Sequence, residues 1–167
     1  GGRPESVGRA ARGGLPLVIA IVGGEPARFA PFVQLYRRAL AELGRADLPV
    51  AVHSPGHVAA TDEEAFERFV PHQRAMRDRI GAERGWPKSG DAEYLHEVAS
   101  GSLYVGSAET VATKIAATVQ ALGVQRFDLK YSGGTLPHEY AMDSIERFGR
   151  DVIPRVRELL GELAPTS

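Results

Sequence analysis

Leu15-Pro16-Leu17-Val18-Ile19-Ala20-Ile21-Val22-Gly23-Gly24 is an unbroken apolar, largely branched run closed by a glycine pair. A strand with one wet face alternates apolar and polar residues. A run without alternation reads as a strand buried on both faces, as in a parallel sheet covered by helices. Upstream, Pro4 suits a first helical turn, Val7, Ala10 and Ala11 share a face, and Gly13-Gly14 end that helix. Downstream, Phe29, Phe32, Val33, Tyr36, Leu40 and Leu43 recur at helical spacing until Gly44.

The same alternation continues along the chain. Residues 48–53 read as a second strand, and Ser54-Pro55-Gly56-His57-Val58 as the loop after it. Thr61 and Glu64 have capping-box spacing and open a helix to about Gly81, with a thin apolar face of Ala65, Phe69, Met76 and Ile80. Residues 83–103, broken by Gly85-Trp86-Pro87, Ser89-Gly90 and Gly101, form an irregular stretch of the length that serves as a lid or insertion. Ser107-Ala108-Glu109 caps a helix striped by Val111, Ile115, Val119 and Leu122 and stopped by Gly123. Residues 127–131 are a third strand, followed by Ser132-Gly133-Gly134. Leu136-Pro137-His138-Glu139 opens a final helix with Met142, Ile145, Phe148, Val152, Val156 and Leu159 inward and a kink at Pro154. Residues 164–167 read as a loose tail.

Helices alternating with strands define an α/β fold with parallel pairing and right-handed crossovers. Each strand ends in a small-residue loop (Gly23-Gly24, Ser54-Pro55-Gly56, Ser132-Gly133-Gly134), so the three loops ring one site beyond the carboxyl ends of the strands. Three strands do not close an eight-stranded barrel.

Composition narrows the function. The 167 residues carry a net charge of -1 with both signs interspersed, which speaks against nucleic acid and anionic membranes as partners. There is no cysteine, and so no disulfide, thiolate nucleophile or cysteine-ligated metal. No apolar run reaches membrane-spanning length, and the chain reads as a cytoplasmic protein.

The first residues, Gly1-Gly2-Arg3-Pro4-Glu5-Ser6, suit an anion. Glycines let backbone N–H groups approach a phosphate, and a helix start adds partial positive charge. Arg3 adds a permanent charge and Ser6 a hydroxyl; the alternative is an ordinary loop and cap. His53-x-x-x-His57 has the spacing of a helical metal pair but falls on a strand and turn, so no metal site is expected. His53, near a strand's carboxyl end, has either a structural role or a ligand contact. His138-Glu139 reads as an exposed helix start rather than an acid/base pair. Lys130 either points toward a ligand or caps an edge, and Trp86 and Tyr94 either close over a substrate or anchor their loop.

The order and spacing of several segments resemble the luciferase-like monooxygenases, a flavin-dependent (β/α)8 family. These segments are Gly1-Gly2-x-Pro4-Glu5-Ser6, Arg9-Ala10-Ala11, Gly14-Leu15-Pro16-Leu17, Ala20-Ile21-Val22-Gly23-Gly24, Tyr104-Val105-Gly106-Ser107, Phe127-Asp128-Leu129 and Arg150-Asp151-Val152-Ile153-Pro154. The resemblance covers nearly the whole chain, least well at 82–100. It implies that residues 1–163 are the C-terminal part of a TIM barrel, about three strand–helix units, with 83–103 as the mobile segment over the site. It implies a phosphate site for reduced flavin mononucleotide (FMN), or for deazaflavin F420, at Gly2, Arg3 and Ser6. The parent enzyme would oxidise a small organic substrate with reduced flavin and dioxygen. Its catalytic residues are expected in an N-terminal half that this chain lacks, which would leave the chain alone inactive. The rival reading is a non-catalytic flavin-binding or barrel-completing module. Its partner would be the N-terminal half or a second copy, since a small sheet with open edges favours association.

Overall fold

Helices and parallel strands do alternate in the computed structural model, which describes residues 3–162. In chain order the elements are α1 (Pro4–Gly13), β1 (Leu17–Ala20), a short 3₁₀ turn (Pro26–Phe29), α2 (Ala30–Glu42), β2 (Val50–Val58), α3 (Asp62–Arg84), α4 (Asp91–Ala99), β3 (Tyr104–Gly106), α5 (Ala108–Leu122), β4 (Arg126–Lys130), α6 (His138–Arg147), a π-helical turn (Phe148–Val152) and α7 (Ile153–Glu162). Gly2 and the tail 164–167 lie outside the described residues.

The sheet is organised on β2, and every pairing is parallel. Its first half takes β1 on one side (Leu17↔Val50 to Ala20↔His53) and β4 on the other (Ala51↔Arg126 to Pro55↔Lys130). Its last residues pair with β3, Gly56↔Tyr104 to Val58↔Gly106. Two sequence expectations change here. The segment 54–58 is strand rather than loop, and Tyr104–Gly106 adds a fourth strand to the expected three.

The physical reason lies in Ser54-Pro55-Gly56, which reads as a turn but serves a handover between partners. The Ser54 hydroxyl, fully buried, donates to the Ile21 carbonyl at 2.8 Å where the β1 ladder runs out. Pro55 has no N–H to pair. Gly56 lets the neighbouring backbone close in: a Cβ there would lie 2.3 Å from the Tyr104 carbonyl oxygen.

The first strand also departs from its reading. It pairs over only four residues, and its burial alternates: Leu17, Ile19 and Ile21 are buried, while Val18 is 49% and Val22 78% exposed. The inward set packs on α1 and α2 through Val7, Ala11, Val33, Tyr36 and Leu40. An apolar run of this kind does not distinguish burial on two faces from burial on one with an apolar exposed face.

The helices obey their caps. Gly14 closes α1 in the left-handed conformation at φ 63°. Thr61 accepts from Glu64 N at 3.2 Å, and the Glu64 carboxylate reaches back to Ala60 N. Ser107 caps α5, accepting from Thr110 N. Asp62 ties the starts of α3 and α5 together, accepting from Ser107 N at 2.6 Å and from the Thr110 hydroxyl at 3.0 Å. The stretch 83–103 is not irregular throughout: Gly85 ends α3, and α4 occupies its centre.

The last helix slips phase. The π-helical turn ahead of Pro154 adds about one residue to the helical count, displacing the apolar stripe by roughly 100°. Val152 is buried as expected, but upstream Met142 (49%) and Ile145 (39%) face outward and Ser144 is fully buried instead. Its hydroxyl accepts from Val58 N at 2.9 Å, satisfying the end of β2.

His57 illustrates the cost of this packing. It is fully buried, stacked on Phe69 with ring centroids 5.7 Å apart, and neither ring nitrogen has a partner among the described residues. Burial, reinforced by the Arg68 guanidinium, pushes its pKa down to about 4. Between that value and 6.5 the unfolded chain binds a proton that the folded chain refuses. Stability therefore falls as pH drops through this window, by about 3 kcal/mol in total at about 1.4 kcal/mol per pH unit. Urea denaturation at pH 7, 5.5 and 4.5 should show the loss, and His57→Leu should flatten it. An equal slope in the variant would rule out His57 as the source.

Candidate functional site

A cleft of about 710 Å³ opens at the carboxyl ends of the strands. One wall carries Val22 and Gly23 after β1, Pro55 of β2 and Lys130 at the end of β4. The other carries Met76, Ile80 and Arg84 of α3, Trp86, and Tyr94 and Glu97 of α4. Two of the three expected loops thus meet the cleft, through Gly23 and Pro55. The third serves packing: a Cβ on Gly133 would lie 2.8 Å from the Phe69 ring, and one on Gly134 would lie 3.0 Å from Met76.

Two residues that sequence reasoning missed set the cleft's outer wall. Glu97 bolts α4 to the loop after β1. One carboxylate oxygen accepts from Gly24 N at 2.9 Å, and the other accepts from Ser102 N at 2.7 Å and the Ser102 hydroxyl at 2.9 Å. Burial opposes ionisation, but the Ser102 and Gly24 amides outweigh it and hold the carboxyl below its ordinary value. Lys114, reaching from α5, donates to the carbonyls of Glu97 (3.2 Å), Val98 (2.7 Å) and Leu103 (2.8 Å), which end α4 and its exit. Burial pulls this ammonium down to about 8, so it stays charged at neutral pH. The available signal was the Tyr94, Leu95, Val98 spacing after Asp91, a weak helical stripe.

Arg77 lies along the same wall, held by Glu93 at 2.9 Å and by the Ser89 hydroxyl. Tyr94, buried, packs under Arg74 at 4.9 Å from its ring centroid, which makes it an anchor of α4 as well as a cleft residue. Arg84 lies 5.2 Å from the Trp86 ring centroid.

The expected phosphate residues sit elsewhere. Arg3 is the exposed N-cap of α1 and offers no side-chain cap, and Pro4 takes the first helical position. Ser6, one turn in, accepts a hydrogen bond from Arg9 at 3.2 Å through its hydroxyl. Arg3 and Ser6 therefore share one helix start, joined by Arg9, but neither lines the cleft. Because α1 turns into β1 through Gly14-Leu15-Pro16, that helix start lies toward the carboxyl ends of the strands. Among the other candidates, Lys130 faces the cleft, His53 is half-buried in the β1–β2 ladder, and His138 and Glu139 are exposed in the first turn of α6. No group of three or more metal-type side chains occurs among the described residues.

A parallel α/β sheet with a cleft at its carboxyl end is the architecture of a barrel segment. The chain matches the sequence model of the luciferase-like monooxygenases over residues 1–126, and it belongs to that family. Solved structures agree on the fold. It is similar to the monooxygenase RslO1 from Streptomyces bottropensis, with 19% identity, a TM-score of 0.71, and coverage of 90% of this chain and 45% of that one. It is similar also to the FMN-bound oxygenating constituent of 3,6-diketocamphane monooxygenase from Pseudomonas putida, with 23% identity, a TM-score of 0.59, and coverage of 90% and 45%. A third is the coenzyme F420-dependent tetrahydromethanopterin reductase from Methanopyrus kandleri, with 17% identity, a TM-score of 0.59, and coverage of 93% and 49%. The chain thus spans about half the length of these structures. No curated protein sequence matches it.

Proposed function

We propose that this chain is the C-terminal, flavin-phosphate-binding part of a flavin-dependent monooxygenase that oxidises a small organic substrate with reduced flavin and dioxygen. The observation that carries the reading is the Arg9–Ser6 hydrogen bond in α1, a helix whose N-cap residue, Arg3, makes no side-chain cap and whose start lies toward the cleft end of the sheet. A hydroxyl and guanidinium groups are donors that suit a phosphate. FMN is the first choice of cofactor, and F420 the second.

The bound flavin supplies the oxygen chemistry, which side chains of this kind do not. The chain's own contribution is binding and shielding. Ser6 and Arg3, with the backbone of Gly2, hold the phosphate, while α4, bolted by Glu97 and Lys114, screens the cleft from water. Residues that act on the substrate belong to the N-terminal half of the barrel, and the assembly is a cytoplasmic homo-oligomer. No helix among the described residues is long and apolar enough to cross a membrane.

Ser6→Ala tests the reading. Losing one hydrogen bond to a charged oxygen should weaken FMN binding about tenfold in a flavin-fluorescence titration of the intact protein. An unchanged Kd would count against the site. A second reading, a barrel-completing module without turnover, is favoured by the exposed Val18 on β1 and Val22 just after it. It predicts that the chain gains flavin only together with a second polypeptide, as native mass measurement would show.

A further inference from the structure

We infer that the cleft binds an amphiphilic organic acid, whose apolar body lies against Trp86, Met76, Ile80 and Leu103 and whose acid group meets Lys130. This rests on the reading above only in calling the ligand a substrate; as a binding site it stands alone.

The charges of the cleft decide the class. Its two carboxylates are committed: Glu93 to Arg77, and Glu97 to the amides of Gly24 and Ser102. Its cations are not all matched. Lys130, half-buried, makes no hydrogen bond or ion pair among the described residues, and Arg84 meets only the Trp86 ring. A half-buried ammonium without a counter-charge, in a cleft lined mainly by apolar side chains, selects an anion over a cation of the same shape. The volume, about 710 Å³, lies within the range of sites for drug-sized molecules.

The only tryptophan in the chain, Trp86, stands in the cleft wall and serves as the reporter. The 167-residue chain, without flavin, is titrated with 4-phenylbutyrate, 4-phenylbutan-1-ol and 4-phenylbutylamine, following Trp86 emission. One apolar body thus carries an anionic, a neutral or a cationic head. The acid should bind about tenfold more tightly than the alcohol, and the amine most weakly. Lys130→Met should bring the acid to the level of the alcohol and leave the alcohol unchanged, and Lys130→Arg should restore the preference. Circular dichroism identifies a variant that fails to fold, and the three wild-type titrations then still decide the ligand class. The inference is overturned if the amine matches the acid, if Lys130→Met leaves the acid's Kd unchanged, or if no compound shifts the emission. Ser6→Ala, scored with FMN, fails or succeeds separately, so the two readings fall independently.

Discussion

Replacing Gly56 with alanine is expected to cost about 3 kcal/mol, the upper part of the range for forcing a methyl into a filled interior. The added Cβ would lie 2.3 Å from the Tyr104 carbonyl oxygen and 2.5 Å from Leu129 Cδ1. The first obstacle is backbone in the facing strand, which does not swing away as a side chain does. Relief requires β3 to part from β2, and with it the pairs Gly56↔Tyr104, His57↔Val105 and Val58↔Gly106. Tyr104 is fully buried and its hydroxyl bonds Thr118 at 2.7 Å, so the displacement reaches α5. Equilibrium urea denaturation measures the loss. Gly23→Ala is the matched control, since its Cβ would meet nothing within 4 Å. If Gly56→Ala unfolds at the same urea concentration as that control, the close approach of the strands is not what holds β3.

Lys114→Met should be nearly as damaging, at about 3 kcal/mol, because it keeps the aliphatic stem and removes only the donor. Three carbonyls at the end of α4 then lose their partner in a site where water reaches poorly. Each buried acceptor left unmade costs about 1–3 kcal/mol, moderated as the segment opens to water. The damage should be local as well as global. Amides of α4 should exchange faster in hydrogen–deuterium exchange by more than those of α2, which lies outside the network. Uniform acceleration across both helices would mean that Lys114 contributes to general stability and does not fasten α4.

What the sequence made legible follows from how local each signal was. The caps at Thr61, Ser107 and Gly14 are one-turn events, and each appears where the residue types place it. The order of helices and strands was legible too, because periodicity is a property of short windows. Segment 54–58 was misread because Ser-Pro-Gly has the chemistry of a turn, and only the facing Tyr104 carbonyl shows why those residues suit a strand. Met142 and Ile145 were placed inward because a constant helical period was carried across a turn that breaks it. The site was legible in part. Gly23 and Lys130 carry their position from the strands that end there. Glu97 and Lys114 act on partners 73 and 17 residues away, and no local pattern marks a carboxylate whose partner is a distant backbone amide.

The wide turn at Phe148–Val152 also governs how this chain can be recombined with its relatives. A crossover inside 138–162 joins two helices whose azimuths differ by the added residue. A parent with an uninterrupted terminal helix, fused upstream of Phe148, would swing Val156 and Leu159 off the packing partners they now share with Val111 and Ile115. Chimeras should therefore be spliced in the loop before His138, where the entire helix and its built-in rotation travel together.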